Sequence, residues 1–266
     1  MLIFLGILLP SAVNAHGFGH QQVIDLTLPH HLYIFSAAAA VAFSFVLIAV
    51  FLRSHEPKIW YRQKEISLPV AALSSIGRTL LGLILLAIMY IGWFGPRNPG
   101  ASIVPNAIWV MWNIGFVYFT MLIANIWPSI HPLGALSLKG KVAWQKNVGV
   151  WPAVFLFVFY RWIENISDHT ENPRALATFI AVYLLVTLFG MWRYGTKTWL
   201  YNADPFGVFF RLIGLFSIFE KNTLRLPGAG IISARAMHFS EVVFVMVMLG
   251  TIAFDGLKET KLWAGL

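Results

Sequence analysis

The sequence contains no cysteine. That excludes disulfides, thiolate-bound zinc, cysteine-ligated iron–sulfur clusters and a cysteine nucleophile, leaving His, Met, carboxylates or the chain terminus for any metal. Charge is scarce as well. Only 11% of the 266 residues are Asp, Glu, Lys or Arg, against 58% hydrophobic residues and a mean hydropathy of +0.72. A water-soluble fold has too little polar surface to cover so much apolar side chain, so the solvent of this chain is a bilayer. Walker, GxGxxG, HExxH and GxSxG motifs are absent, which argues against the nucleotide-driven and hydrolytic chemistry that those motifs serve. No nucleophile–base pair emerges, so an enzyme is the weaker expectation and no catalytic residue is nominated. No low-complexity linker or extramembrane stretch of domain size divides the chain.

What is present is a succession of apolar runs. A spanning helix needs about 20 mostly apolar residues, and helices are expected near 32–52, 70–94, 107–127, 148–163, 175–192 and 239–254. The apolar stretch 206–219 is shorter, carries Arg211 and follows the turn signal Asp204-Pro205, so it is expected to be re-entrant or interfacial. The fold expected is therefore an all-α integral membrane protein, a bundle of about six transmembrane helices plus one short helix, covering residues 32–257. Met1 to Ala15 reads as a signal peptide, with a Leu2–Leu9 apolar run, Pro10 as a breaker and Val13-Asn14-Ala15 before the cut, although a basic n-region is missing. Residues 16–31 form a histidine-containing lead, and 258–266 a tail.

The formal charge of +8 is spread through the loops instead of forming one patch, which speaks for topology and against a nucleic-acid partner. With six crossings and a periplasmic mature N-terminus, thirteen Lys and Arg fall on the inside segments and five outside, with Arg78 within a helix. That asymmetry is the positive-inside pattern of a multipass inner-membrane protein with both mature ends in the periplasm.

Several short stretches resemble an uncharacterised family of bacterial multipass integral membrane proteins that carry a signal peptide and a His-Gly mature end. They are Ala15-His16-Gly17-Phe18-Gly19, the run from Ala37 to Val46, Ala124-Asn125-Ile126-Trp127 and Gly149-Val150-Trp151-Pro152-Ala153. Phe206 to Gly214 and Ala253-Phe254-Asp255-Gly256 with Thr260 and Trp263 complete the likeness. The resemblance implies a shared fold and no particular activity. His20 and the His30-His31 pair depart from the family's pattern, and similar proteins continue past Trp263, which makes the tail a truncated one by that comparison.

Five groups of residues are candidates for chemistry. Cleavage after Ala15 would give His16 a free amine beside its imidazole, a chelating pair for Cu(II) resembling a histidine brace, with His20 as a third nitrogen donor. Such binding would weaken in acid, because amine and imidazoles must lose protons to coordinate. The bland alternative is a flexible leader with His30 and His31 anchoring the first helix. At the last helix, His238 and Glu241 are one turn apart, and Asp255 is fourteen residues beyond Glu241 on nearly the same face. They frame a candidate proton or cation path, against the plainer reading of interfacial capping. Arg78 is either an interfacial anchor or a buried cation whose natural counter-ion is Glu241. Asn106, Asn113 and Thr120 recur at seven-residue intervals, a stripe suited to interhelical hydrogen bonds. Glu164, Asp168, His169 and Glu171 cluster in a loop expected to be solvated, and His131-Pro132 reads as a loop.

Three functions follow. The first is a protein that binds or moves a transition metal, copper, through its periplasmic N-terminal histidine. The second is a proton-coupled small-solute transporter using Arg78, Glu241 and Asp255. The third is a non-catalytic structural or assembly subunit held to membrane-protein partners. The lipid bilayer is a partner under all three.

Overall fold

The computed structural model describes residues 35, 38, 39, 42, 43, 46, 64–65, 70–220, 223–232, 234–235 and 237–258. Two compact units divide at Ile59 and Trp60. In the first, Phe35, Ala38, Ala39, Ala42, Phe43 and Val46 are helical; the remainder of the predicted 32–52 helix, the signal segment and the histidine-containing lead lie outside the described residues. The second unit is a helical membrane bundle.

Its elements in chain order are strand β1 (Lys64–Glu65), helix α1 (Val70–Phe94), α2 (Ile103–Leu122), the single turn α3 (Trp127–Ile130), α4 (Trp151–Asn165) and α5 (Pro173–Tyr194). These lead into α6 (Thr196–Asn202), α7 (Pro205–Ile213), strands β2 (Phe219–Glu220) and β3 (Thr223–Leu224), the turn α8 (Ala229–Ile232) and α9 (Phe239–Lys258). Among the described residues four helices, α1, α2, α5 and α9, have the length and hydropathy of a membrane span. Their exposed side chains are apolar where they meet no other helix; Ile76, Leu80, Leu83 and Leu86 on α1 and Met246, Leu249 and Ile252 on α9 are examples. Against lipid such faces are stable as they stand. The predicted fourth span, 148–163, is the 15-residue α4, about 22 Å long at 1.5 Å per residue, shorter than the roughly 30 Å hydrocarbon core.

The third predicted span is corrected at both ends. It begins at Ile103, where the Ser102 side chain accepts the Val104 N–H as a cap, and stops at Leu122 instead of 127. Pro128 explains the stop, since its ring would clash with the carbonyl four residues earlier and it has no N–H to continue the ladder. The chain restarts one residue before it, with the Asn125 side chain accepting the Trp127 N–H. Ala124, freed from the helix, forms an isolated parallel bridge with Phe219, and the Phe219 N–H donates to the Ile123 carbonyl at 2.9 Å. Within α2, residues Asn106–Phe116 are π-helical. A π-helix has a wider turn than an α-helix, so the seven-residue stripe of Asn106, Asn113 and Thr120 does not run as one line: Asn106 is exposed and Thr120 fully buried.

The short apolar stretch folds as α7, capped by Asp204 with Pro205 in its first turn, and ends in a 3-10 turn at Gly214–Phe216. It packs on α2, α4 and α6, and Phe210 and Val208 are fully buried. The following segment folds back as an antiparallel hairpin, β2–β3, with β1 pairing the other edge of β3. Arg225 locks this turn, donating from Nε to the Ser217 carbonyl at 2.9 Å, from Nη2 to the Gly214 carbonyl at 2.6 Å, and pairing with Glu220. α5 and α6 approach closely where Gly190 lets the Trp199 indole occupy the place a Cβ would take.

Candidate functional site

The helices line a half-open cavity of about 520 Å³ between α1, α2, α4, α5 and α7, with Met111, Phe159, Val182 and Ile84 exposed at its rim. α1 contributes Leu81, Ile84, Leu85 and Ile88, at the three- and four-residue spacing of one helical face. α2 contributes Ala107, Ile108, Trp109, Met111, Trp112 and Phe116, all from its π-helical stretch, and α5 contributes Leu176, Phe179, Ile180, Val182, Tyr183 and Val186. π-helical turns concentrate at functional sites because they re-aim side chains that a regular helix would bury elsewhere. The wall is almost wholly apolar and unusually aromatic. Phe206, at the head of α7, lies between the tyrosines, with ring centroids 5.1 Å from Tyr160 and 5.3 Å from Tyr183, and Trp112 meets Phe206 and Phe210 edge-on at 5.3 and 5.2 Å. Edge-on rings place the positive rim of one on the negative face of the next, which fixes their orientation as well as burying area.

Two hydrogen-bonded networks stand behind this wall, one behind each tyrosine. Asp204 is fully buried. Its Oδ1 accepts from the Tyr183 hydroxyl at 2.9 Å, and its Oδ2 accepts from the Trp127 indole N–H at 3.0 Å and the Gly207 N–H at 2.8 Å. The last bond is the helix cap of α7, where a carboxylate also meets the positive end of the helix dipole. His131, 1% exposed, accepts the Leu133 N–H at Nδ1, 3.2 Å away, which leaves Nε2 to carry the proton toward the Tyr183 oxygen at 3.3 Å. The His131 imidazole is thus held as the neutral Nε2–H tautomer, with Asp204 Oδ2 3.8 Å from Nε2. Burial pushes its pKa below the ordinary value; the Asp204 carboxylate raises it in part and the Arg78 cation lowers it further. On the other side, the Tyr160 hydroxyl donates to Asn113 Oδ1 at 3.2 Å and Asn113 Nδ2 donates to Glu164 at 2.7 Å, while Glu164 pairs with Arg161 one turn back.

Glu164, expected in a solvated loop, is instead drawn into the bundle by Asn113 and Arg161, whereas Asp168 and His169 are exposed. Asn113 does serve as an interhelical bond, between α2 and α4.

Glu241 has a different surrounding from the one expected. Its Oε1 accepts from Arg211 Nη2 at 3.0 Å and from Arg235 Nη2 at 2.8 Å, so Arg78 is not its counter-ion. The reason is topological: α7 delivers Arg211 to the start of α9. Arg211 also stacks its guanidinium 4.0 Å over Tyr201. His238 is exposed, and its three-residue spacing from Glu241 is that of a capping box: Glu241 Oε2 accepts the His238 N–H at 3.0 Å while His238 Nδ1 accepts the Ser240 N–H at 3.3 Å. The loop before α4 docks here, because Gly149, at φ +49°, leaves room for His238 and Ser240, and Ser240 accepts the Val150 N–H at 2.9 Å. Asp255 is half-buried near the other end of α9, about 21 Å along the axis from Glu241.

His16 and His20, the proposed copper ligands, lie outside the described residues. Among the described residues no group of three His, Asp or Glu side chains is arranged to hold a metal ion. No family model matches this chain, and no curated protein and no solved structure matches it either.

Proposed function

We propose that this protein binds a lipid-soluble small molecule with an elongated or ring-bearing apolar body inside its membrane domain. The observation that carries this reading is the 520 Å³ aromatic-walled cavity, within the range of about 300–1,000 Å³ typical of small-molecule sites. An apolar ligand gains little by moving from lipid to an apolar cavity, so shape and ring contacts must supply the selectivity. Nine aromatic side chains on the wall suit an unsaturated or isoprenoid body better than a saturated chain. The buried bonds of Tyr160 and Tyr183 hold two of those rings in fixed positions.

The test uses the tryptophans of the wall, Trp109, Trp112 and Trp127, as reporters. Titrating the detergent-solubilised protein with farnesol is expected to change their fluorescence saturably, and Ala107→Trp, which fills the cavity, is expected to remove the response to farnesol while leaving thermal unfolding close to that of the parent. A response without saturation, or one unaffected by filling the cavity, would sink the reading.

Placement in an inner membrane, with the mature N-terminus in the periplasm, rests on the distribution of Lys and Arg among the loops. Copper capture by His16 and His20 is a separate proposal resting on the sequence, and intact mass with metal analysis tests it. An N-terminus at His16 with bound copper is the expected result; an unprocessed Met1 and no copper after metal loading would end it. Neither measurement bears on the cavity. Transport coupled to Arg78, Glu241 and Asp255 loses its proposed ion pair, since Glu241 is engaged by two other arginines.

A further inference from the structure

Arg78, half-buried on α1, has no acid partner among the described residues. Its Nε is buried and makes no hydrogen bond. Three other arginines of the bundle meet acids: Arg161 pairs with Glu164, Arg211 with Glu241 and Arg225 with Glu220, although Arg161 Nε and Arg211 Nη1 are also buried without a hydrogen bond. A guanidinium with a buried, unmet donor in an apolar setting is costly unless something anionic or strongly accepting reaches it.

Its position says what that something is attached to. Arg78 precedes Leu85 by seven residues on α1, which places the two within about 20° of one another around the helix. Leu81 and Leu85 both line the cavity, so Arg78 stands at the edge of the same face, one turn beyond the last lining residue. Ile130, another lining residue, packs on Gly77 next to it. Gly134 lies beside the guanidinium, and a Cβ there would come 3.5 Å from Nε and 3.9 Å from Cζ. The missing side chain keeps that flank of the cation open. The face of α1 that lines the cavity therefore runs on, one turn past Leu81, to a cation with a buried unmet Nε, an arrangement that suits an apolar tail with an anionic head.

We infer that Arg78 binds the phosphate of an amphiphile at the end of the cavity. This deepens the reading of the cavity as a lipid-ligand site and rests on it. The planar fork of an arginine matches two phosphate oxygens, which a lysine matches as a point charge only. The phosphate has two possible sources, the head of the cavity's own ligand or the headgroup of a bilayer phospholipid, and they are separable.

Farnesyl phosphate and farnesol are titrated against the same detergent-solubilised protein by tryptophan fluorescence, and tightly bound phospholipid is counted by native mass spectrometry. Farnesyl phosphate is expected to bind at least tenfold more tightly than farnesol, and Arg78→Gln is expected to erase that preference while leaving farnesol affinity within twofold. Arg78→Lys should restore part of it. If the bilayer is the source, the two farnesyl probes bind alike but the parent retains a phospholipid that Arg78→Gln loses. Either pattern supports the phosphate site. Equal binding of both probes with unchanged phospholipid retention overturns it, and so does a preference that survives in Arg78→Gln. Failure of farnesol itself to bind saturably would instead sink the cavity reading, a distinct result. Should Arg78→Gln not fold, Gly134→Leu, which covers the flank of the guanidinium, gives the same contrast with the arginine in place.

Discussion

Two buried carboxylates in this bundle are handled in opposite ways. Asp204 is fully enclosed and satisfied by neutral donors: a hydroxyl, an indole and a helix-terminal amide. Glu241, at 4% exposure, is clamped between two arginines near the start of α9. The first arrangement fixes tyrosine and tryptophan rings on a cavity wall; the second ties α7 and the 235 segment to α9. Neutral donors aim a carboxylate in a chosen direction, because each hydrogen bond has a narrow geometry, whereas ion pairs hold elements together with looser orientation. The difference separates a site-shaping acid from a fastening one, although both look alike as isolated acids among apolar residues.

Breaking Asp204 should have the larger effect. Asp204→Ala leaves the Trp127, Tyr183 and Gly207 donors unmet and is expected to cost about 3 kcal/mol or more. A cooperative unfolding midpoint in detergent equal to the parent's would refute the account of the network. Glu241→Ala removes a partner from two cations, one half-shielded and one exposed, and about 2 kcal/mol is expected; unfolding in detergent measures it, and a larger loss than for Asp204→Ala would invert the comparison. Tyr183→Phe keeps the ring on the wall but withdraws one donor from Asp204, which predicts about 1 kcal/mol and a weakened farnesol response from a less fixed wall. Arg235→Ala, whose side chain is 61% exposed, should fall within about 1 kcal/mol of the parent; a larger loss would show that Arg211 alone does not hold Glu241.

The Asp204 side also predicts a pH dependence, carried by His131. His131 is held neutral, with a folded pKa below its ordinary value near 6.5. The unfolded chain therefore takes up a proton that the folded chain refuses as the pH falls below about 6.5, so stability is full above that value and declines below it. Thermal unfolding between pH 5 and 8 is expected to show this acid limb in the parent and a shallower one in His131→Gln. Equal slopes would remove His131 from the explanation.

Much of the bundle was legible in the apolar runs. The predicted 70–94 helix coincides with α1, the 175–192 helix with most of α5, and the short stretch with α7 and its 3-10 end. Length and hydropathy decide such elements locally, before any contact forms. The third helix was misjudged because an apolar run continues through Ile126 and Trp127, and only the steric effect of Pro128 four residues beyond Ala124 marks the break. The site was harder to read. Asp204 looked like a turn residue and His131 like a loop residue, and both descriptions are locally correct: one caps α7 and the other starts a 3-10 turn. Their burial comes from Tyr183 on a helix 21 residues before Asp204 and 52 after His131. The Asp-Pro helix start near a midspan tyrosine was the available signal, and it is a weak one. Glu241 stood out as an acid in an apolar run, but its burial and its partners depend on which helices meet.

The sequence by itself determined that the chain is a helical membrane protein, where most of its long helices run, and that cysteine chemistry is closed to it. Those properties follow from composition and from the length of apolar runs, which are local quantities. Only the tertiary structure decided that Glu241 answers Arg211 and Arg235, that Asp204 and His131 stand behind a tyrosine, and that Arg78 has no acid partner among the described residues. A counter-ion is chosen by distance in space, and in a bundle of six or more packed segments that distance is set by which faces interlock. No single run of residues carries that information.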